Sequence, residues 1–228
     1  MSKRTLALIT ATIVSIIYGM TFTIAKDVMP KHVEAYGFII MRVGGATILF
    51  WLSWLFSRNS TAVRQEQIDP KDYPRIIAAA FFGVALNMLS FFKGLSLTSP
   101  ISASVLMVCT PIIVLILSAI ILKERMRKRM VFGIILGLIG TSFLILYGKS
   151  SGNATNPTLG NFLVFINASS YGLYLVIIRK LMEKYNPFNF AKWIYLTGFV
   201  MVLPFGWGEF EVINWTSMPM DIYLKIGF

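Results

Sequence analysis

Seven apolar stretches, each long enough to cross a bilayer as a helix, run from Leu6 to Trp207 with short charged connections between them. A hydrocarbon core about 30 Å thick needs roughly 20 helical residues to cross it, at about 1.5 Å per residue. A backbone inside hydrocarbon must satisfy its own hydrogen bonds, and a row of such segments does so as helices. The expected fold class is all-α, a polytopic transmembrane helix bundle. Its spans are expected at Leu6–Ala25, Ala35–Phe56, Pro74–Phe92, Ile101–Leu122, Met130–Tyr147, Leu159–Ile178 and Phe190–Trp207.

The charges are sorted by side. Of the 21 basic residues, 15 fall at the N-terminus or in every second connection, from Lys3 and Arg4 through Lys123–Arg129 to Lys184 and Lys192. The intervening connections hold Lys26, Lys31, Lys93 and Lys149 with Glu209, Glu211 and Asp221. Basic short loops stay in the cytoplasm, so the N-terminus is expected inside a multi-pass protein of the cell (plasma or inner) membrane. The formal charge of +11 then reads as a topology signal facing anionic headgroups, with the lipid bilayer as partner and no nucleic acid. The opening Met1-Ser2-Lys3-Arg4 precedes an apolar run too long for a signal peptide, without an A-x-A site, and reads as an uncleaved first helix. The single cysteine, Cys109, allows no internal disulfide.

Laid on itself at an offset of 153, the sequence matches Ser15–Lys31 with Ala168–Lys184. Tyr18-Gly19 meets Tyr171-Gly172, Ile24 meets Ile177, Lys26 meets Arg179 and Met29 meets Met182. The offset contains five spans, an odd number, so the second copy enters the membrane from the opposite side. Inverted repeats of this kind recur in secondary transporters. The expected domains are residues 1–150 as the first repeat and 151–228 as the start of the second. Phe228 corresponds to position 75, so a complete duplication calls for about three more helices, and the chain is expected to be part of a longer protein.

Three passages add a family likeness. YGMTFTIAK (Tyr18–Lys26) carries an aromatic-Gly-small pattern ending in Lys, and FIIMRVGGA (Phe38–Ala46) a Phe-x-x-x-Arg followed by small residues. LSLTSPISASVLMVCTPIIVLILSAIILKER (Leu95–Arg125) runs from a Ser-Ala-Ser entry through a mid-helix Pro to an acidic residue at the cytoplasmic end. In this order they resemble the EamA-type permeases of the drug/metabolite transporter superfamily, as do the small-residue run Gly133–Leu146 and the segment Gly160–Lys180. The resemblance implies ten helices in two inverted halves that export or exchange small metabolites. The chain departs from it in lacking helices nine and ten and most of eight, and in having Tyr18 where the family often has Trp.

Polar groups in hydrocarbon turn toward a partner helix or toward water. On the sixth expected span Asn167, Ser170, Tyr171 and Tyr174 share one face by helical spacing. On the third Asn87, Ser90 and Gly94 do, and on the first Ser15, Tyr18 and Thr21. These stripes either line a central cavity or hydrogen-bond neighbouring helices. Arg42, about two turns into the second span, either meets an anionic substrate group or snorkels to the interface. Pro111 removes a backbone donor in mid-membrane and frees a carbonyl, making a static or a flexing kink. Glu124 closes the fourth span as an interfacial ion pair or a gating contact. Gly133-x-x-x-Gly137-x-x-Gly140 offers a flat helix face for packing within the bundle or across a homodimer.

The expected function is a secondary transporter (a permease) that moves a small-molecule substrate by alternating access. No G-x-x-x-x-G-K-[ST] run is present to cradle ATP phosphates. Enzymes of the metal-hydrolase or acid–base kind lack their reagents: there is no H-E-x-x-H, and no paired intramembrane carboxylate. No cofactor or metal is expected. The alternative is a truncated, inactive or assembly-partner membrane protein without transport of its own.

Overall fold

The computed structural model of the chain describes residues 3–57, 67–121, 123, 128–147 and 154–227, and every regular element among them is helical. α1 (Lys3–Val28) and α2 (Ala35–Ser57) are followed by α3 (Tyr73–Ala80), a π-turn (Phe81–Ala85) and α4 (Leu86–Leu97). α5 (Pro100–Met107) and α6 (Thr110–Ile121) make the next crossing. Then come α7 (Lys128–Tyr147), α8 (Pro157–Met182), α9 (Pro187–Glu211) and the short α10 (Met220–Gly227). Among the described residues, six helical stretches are long and apolar enough to cross a membrane: Thr5–Val28, Ala35–Phe56, Pro70–Leu97, Pro100–Ile121, Pro157–Met182 and Pro187–Glu211. The fifth expected span, Met130–Tyr147, falls within the 20-residue helix α7. The chain is an all-α, multi-pass membrane protein.

The face on which α1 begins is called the near face below, and the opposite one the far face. Four helical stretches open with the same local device. A polar cap precedes a proline at the first helical position: Asp69-Pro70, Ser99-Pro100, Asn156-Pro157 and Asn186-Pro187. Each cap side chain accepts a backbone N–H of the first turn, as Ser99 Oγ does from Ser102 (3.2 Å) and Asn156 Oδ1 from Leu159 (3.2 Å). Proline gives up a donor that has no partner there, and its φ is already helical. These caps start the spans one to four residues earlier than apolarity alone suggests.

Two crossings are not regular. In the fourth, Val108 and Cys109 donate to the carbonyls three residues back (3.1 and 3.0 Å), a tightened turn between α5 and α6. Pro111, two residues on, has no N–H for the Met107 carbonyl, which accounts for the interruption. In the third, Leu86 N–H donates five residues back to Phe81. The Phe82 carbonyl thereby loses its α-helical partner, and the Ser170 hydroxyl of α8 donates to it at 2.6 Å. Ser170→Ala is expected to destabilise the protein by about 1 kcal/mol, the scale of an interhelical hydrogen bond in a membrane protein. A thermal melt of the solubilised protein measures it, and an unchanged midpoint would remove this bond from the account.

Packing is densest along two seams, α2 with α9 and α4 with α8. Phe38, Phe92, Ile39, Leu95 and Ile194 are all within 2% of full burial there. Gly94 and Gly160 bring α4 and α8 into backbone contact, since a Cβ on either would lie 2.8 Å from the other's carbonyl oxygen. Gly206 meets the Tyr36 carbonyl in the same manner across α2 and α9. The glycines of α7 divide. Gly137 faces Ile112, whereas nothing among the described residues lies within 4 Å of a Cβ on Gly133 or Gly140. The outer surface is apolar: Leu6, Leu8, Val14, Ile16, Phe132 and Phe143 each expose half or more of their area. A contiguous surface of that kind belongs in lipid.

Both ends of the bundle are tied by polar contacts. On the far face the Glu209 carboxylate of α9 accepts the first-turn N–H groups of α2, from Tyr36 at 2.6 Å and Gly37 at 2.9 Å. Lys26 of α1 donates to the carbonyls of Leu95 (2.9 Å) and Ser96 (2.7 Å), and Lys225 of α10 pairs with Asp27 (2.9 Å). On the near face buried Asp72 joins Arg75 (3.0 Å), Lys184 (2.9 Å) and the Tyr185 hydroxyl (2.9 Å). The bond to Asp72 holds the Lys184 ammonium above the usual lysine range.

Candidate substrate site

The α2–α9 seam carries a cation in mid-span. Arg42 lies over two rings, Phe38 and Phe92, each 5.7 Å from its guanidinium carbon. No carboxylate among the described residues pairs with it. The rings supply partial compensation through their quadrupoles, about 2 kcal/mol at a desolvated site. Taking such a charge out of water costs several kcal/mol. A cation so placed carries a charge that an anion would balance.

Tyrosines gather about it from three helices. Tyr195 of α9 lies within electrostatic range of Arg42, and Tyr18, Tyr174 and Tyr195 lie within that range of Tyr171. Phe50 stacks on Tyr195 (4.7 Å between ring centres), and Tyr174 stacks on Tyr171 (5.7 Å). Gly83, in the π-turn, admits the Tyr174 ring where any Cβ would collide with it. Thr47 Oγ1 donates to Val43 O (2.7 Å) and lies within reach of Tyr195 O (3.2 Å), which fixes α9 against α2 at this level. The cluster therefore presents one guanidinium, four phenol groups and flat aromatic walls.

The neutral polar stripes behave differently. Asn87 and Asn167 are buried and exchange hydrogen bonds across α4 and α8, each amide donating to the other's backbone carbonyl at 3.3 and 2.9 Å. Ser170 is bonded to Phe82, Ser90 is buried on the same face of α4 as Asn87, and Thr21 donates to its own helix at Ile17 (3.1 Å). Asn87, Asn167 and Ser170 hold helices together, with one atom left over: Asn167 Oδ1 is buried and accepts no bond among the described residues. Tyr18 and Pro111 line a separate groove of about 500 Å³ between α1 and α5–α6, with Ser15, Gly19, Ser104 and Met107. The structure thus places Arg42 with Tyr195 and Tyr171 with Tyr174, sets Tyr18 on the separate groove, turns Asn87, Asn167 and Ser170 to bonds between helices, buries Ser90 beside Asn87 and bonds Thr21 within its own helix. Glu124 lies outside the described residues.

Tyr195 and Glu209 were not singled out by the sequence reading. Tyr195 carried a signal all the same, because 153 residues separate it from Arg42, the offset that also relates Tyr18 to Tyr171. Glu209 carried none, since a carboxylate close to a helix end reads as solvated. Glu209→Leu leaves two orphan donors at the start of α2, a cap loss of about 1 kcal/mol. Hydrogen exchange at the Tyr36 and Gly37 amides is then expected to speed up several-fold, and equal protection in the variant would show that the carboxylate does not cap α2.

A family model matches residues 5–146, under the description EamA-like transporter family. The chain belongs to the EamA-like transporter family. Among curated proteins, it is 25% identical to the uncharacterized transporter YyaM of Bacillus subtilis over 222 residues, covering 94% of this chain and 69% of that relative. An uncharacterized transporter of Archaeoglobus fulgidus is 31% identical over 140 residues, 61% of this chain and 49% of that protein. The biotin transporter of Salmonella typhimurium is 25% identical over 224 residues, 94% of this chain and 69% of the relative. No solved structure matches. This EamA-like chain is thus a membrane transporter by family, and its relatives' names point to transport rather than catalysis.

Proposed function

We propose that this EamA-like protein moves a small anionic solute with a flat, apolar body across the cell membrane by alternating access. The observation that carries this reading is Arg42, a guanidinium two turns into α2 that faces the Phe38 and Phe92 rings and has no carboxylate partner among the described residues. The solute's anionic group would pair with Arg42, and its body would lie between Tyr171, Tyr174 and Tyr195. Phenol hydroxyls both donate and accept, so they orient the solute's polar edge.

The inverted repeat supplies the motion in this reading. Two pairs of positions related by the offset of 153 lie within electrostatic range of each other, Tyr18 with Tyr171 and Arg42 with Tyr195. Pairs of equivalent residues meet only near a pseudo-two-fold axis, where both copies contribute to one site. The pairing of α4 with α8, and of α10 with α1, is the relation such an axis requires. Residues 1–150 and 151–228 are accordingly assigned to the two copies. The far face, closed by Glu209 and Lys26, and the near face, closed by Asp72, would open in turn, with the N-terminus in the cytoplasm by the placement of basic residues. Energy would come from solute exchange or an ion gradient.

Counterflow in liposomes holding the full chain tests this. Labelled benzoate and its ring-substituted analogues are expected to enter saturably, and faster when the same solute is loaded inside, while the corresponding neutral amides do not. Entry of the amides but not the carboxylates would overturn the proposal.

A further inference from the structure

A second cation stands on the same seam, nearer the near face. Lys192, in the second turn of α9, is only 7% exposed. Its ammonium rests on the Trp54 ring, 3.6 Å from the centre, with Trp51 at 5.3 Å and Trp193 at 6.0 Å. Aromatic faces attract a cation but accept no directed N–H bond of ordinary strength. Among the described residues Lys192 has no ion pair and no hydrogen bond.

Trp51 adds an independent observation. Its indole Nε1 is buried and also has no acceptor among the described residues. Buried donors are almost always satisfied, and an exception asks for an explanation. Here two donors, one of them charged, share a cage, and the indole N–H belongs to a ring that the ammonium faces. A carboxylate or phosphate group is the ligand whose chemistry would satisfy both. The depth fits such a ligand: Trp51, Trp54 and Trp193 are partly exposed, and Tyr73 meets Trp193 edge-on at 6.3 Å. Tryptophan and tyrosine gather where apolar chains give way to headgroups.

We propose that Lys192 and Trp51 form an oxyanion-binding site at the near end of the α2–α9 seam, taking the carboxylate or phosphate of a soluble anion or of a lipid headgroup. The site is distinct from Arg42 and stands whether or not Arg42 holds a transported solute. An oxyanion there neutralises the Lys192 charge, accepts the Trp51 N–H and leaves the ammonium on the Trp54 face.

Intrinsic tryptophan fluorescence of the full chain in nanodiscs tests it, because three of the chain's five tryptophans form the cage. In phosphatidylcholine discs, inorganic phosphate is expected to change the emission saturably. Lys192→Met raises the midpoint at least tenfold, Lys192→Arg keeps it within about threefold, and Trp51→Phe, which keeps a ring but loses the N–H, raises it severalfold. A response to phosphatidylglycerol in the discs, with none to phosphate, also supports the site and makes a lipid phosphate its ligand. Arg42→Met leaves the midpoint where it was. Silence in both arms, an equal midpoint for wild type and Lys192→Met, or a midpoint that moves with Arg42→Met overturns the proposal.

Discussion

Arg42→Met is expected to abolish solute transport while leaving the helix bundle folded. Methionine keeps an unbranched apolar stem against Phe38 and Phe92, the two rings that flank the guanidinium. It removes a desolvated charge that no described carboxylate balances, so folding loses little and stands to gain. Binding is another matter. Unpairing a buried ion pair between a site and its ligand costs about 2–5 kcal/mol. At about 1.4 kcal/mol for each factor of ten, the loss in transport efficiency is roughly 30-fold to several thousand-fold. Arg42→Lys keeps the charge but loses the planar fork and the stacking on the rings, so an intermediate loss of about tenfold is expected. Initial uptake rates in proteoliposomes, with a thermal melt of each variant, separate binding from folding. Wild-type uptake by a folded Arg42→Met protein would remove the anion from the account.

The second large effect is on stability. Gly160→Val places a branched side chain where α8 touches α4 backbone to backbone, 2.8 Å from the Gly94 carbonyl and 2.9 Å from the Thr98 amide nitrogen. No flexible side-chain end is available to yield, so the helices must separate. Overpacking of this kind costs about 1–3 kcal/mol, and more where backbone is the obstacle. The Asn87–Asn167 exchange lies on the same interface and weakens with it. A protein of this size loses about 2–4 °C of melting temperature per kcal/mol, so a fall of roughly 5–10 °C is expected. Gly133→Val, where nothing among the described residues lies within 4 Å, serves as the control and is expected to leave the midpoint unchanged. Equal melts for the two variants would show that the α4–α8 contact does not set the stability.

The spans were legible because hydrocarbon imposes a length and excludes charge, and both constraints act on composition. Their beginnings were less legible. Apolar counting started the sixth span at Leu159 and the seventh at Phe190, whereas Asn156-Pro157 and Asn186-Pro187 begin the helices. The cap-and-proline pairs were in the sequence, and their hydrogen bonds place each start. The π-turn at Phe81–Ala85 has no comparable sequence sign. It becomes intelligible only with Ser170 opposite the released carbonyl and Tyr174 opposite Gly83.

The site was legible in part. Helical spacing placed Tyr171 and Tyr174 on one face together with Asn167 and Ser170. It did not tell which of them turn to a cavity and which to a neighbouring helix, because those faces are adjacent. Asn167 and Ser170 hydrogen-bond to α4 and the π-turn, while Tyr174 packs on Gly83 of that turn and stacks on Tyr171. Tyr195 required the repeat to be carried one helix further, from Tyr18 and Tyr171 to Arg42. Glu209 and Lys192 are charged residues near helix ends, which ordinarily face solvent. What sets them apart is tertiary: the first turn of α2 meets one, and three tryptophans surround the other.

Thiol labelling tests the shared interior most directly. In a Cys109→Ser background, with Tyr171→Cys as the single thiol, the protein in liposomes is treated with a charged, membrane-impermeant reagent. The account predicts labelling from the aqueous phase that a transported carboxylate slows at saturating concentration. Labelling only by a lipid-soluble maleimide, indifferent to solute, would place Tyr171 on the lipid side and contradict it.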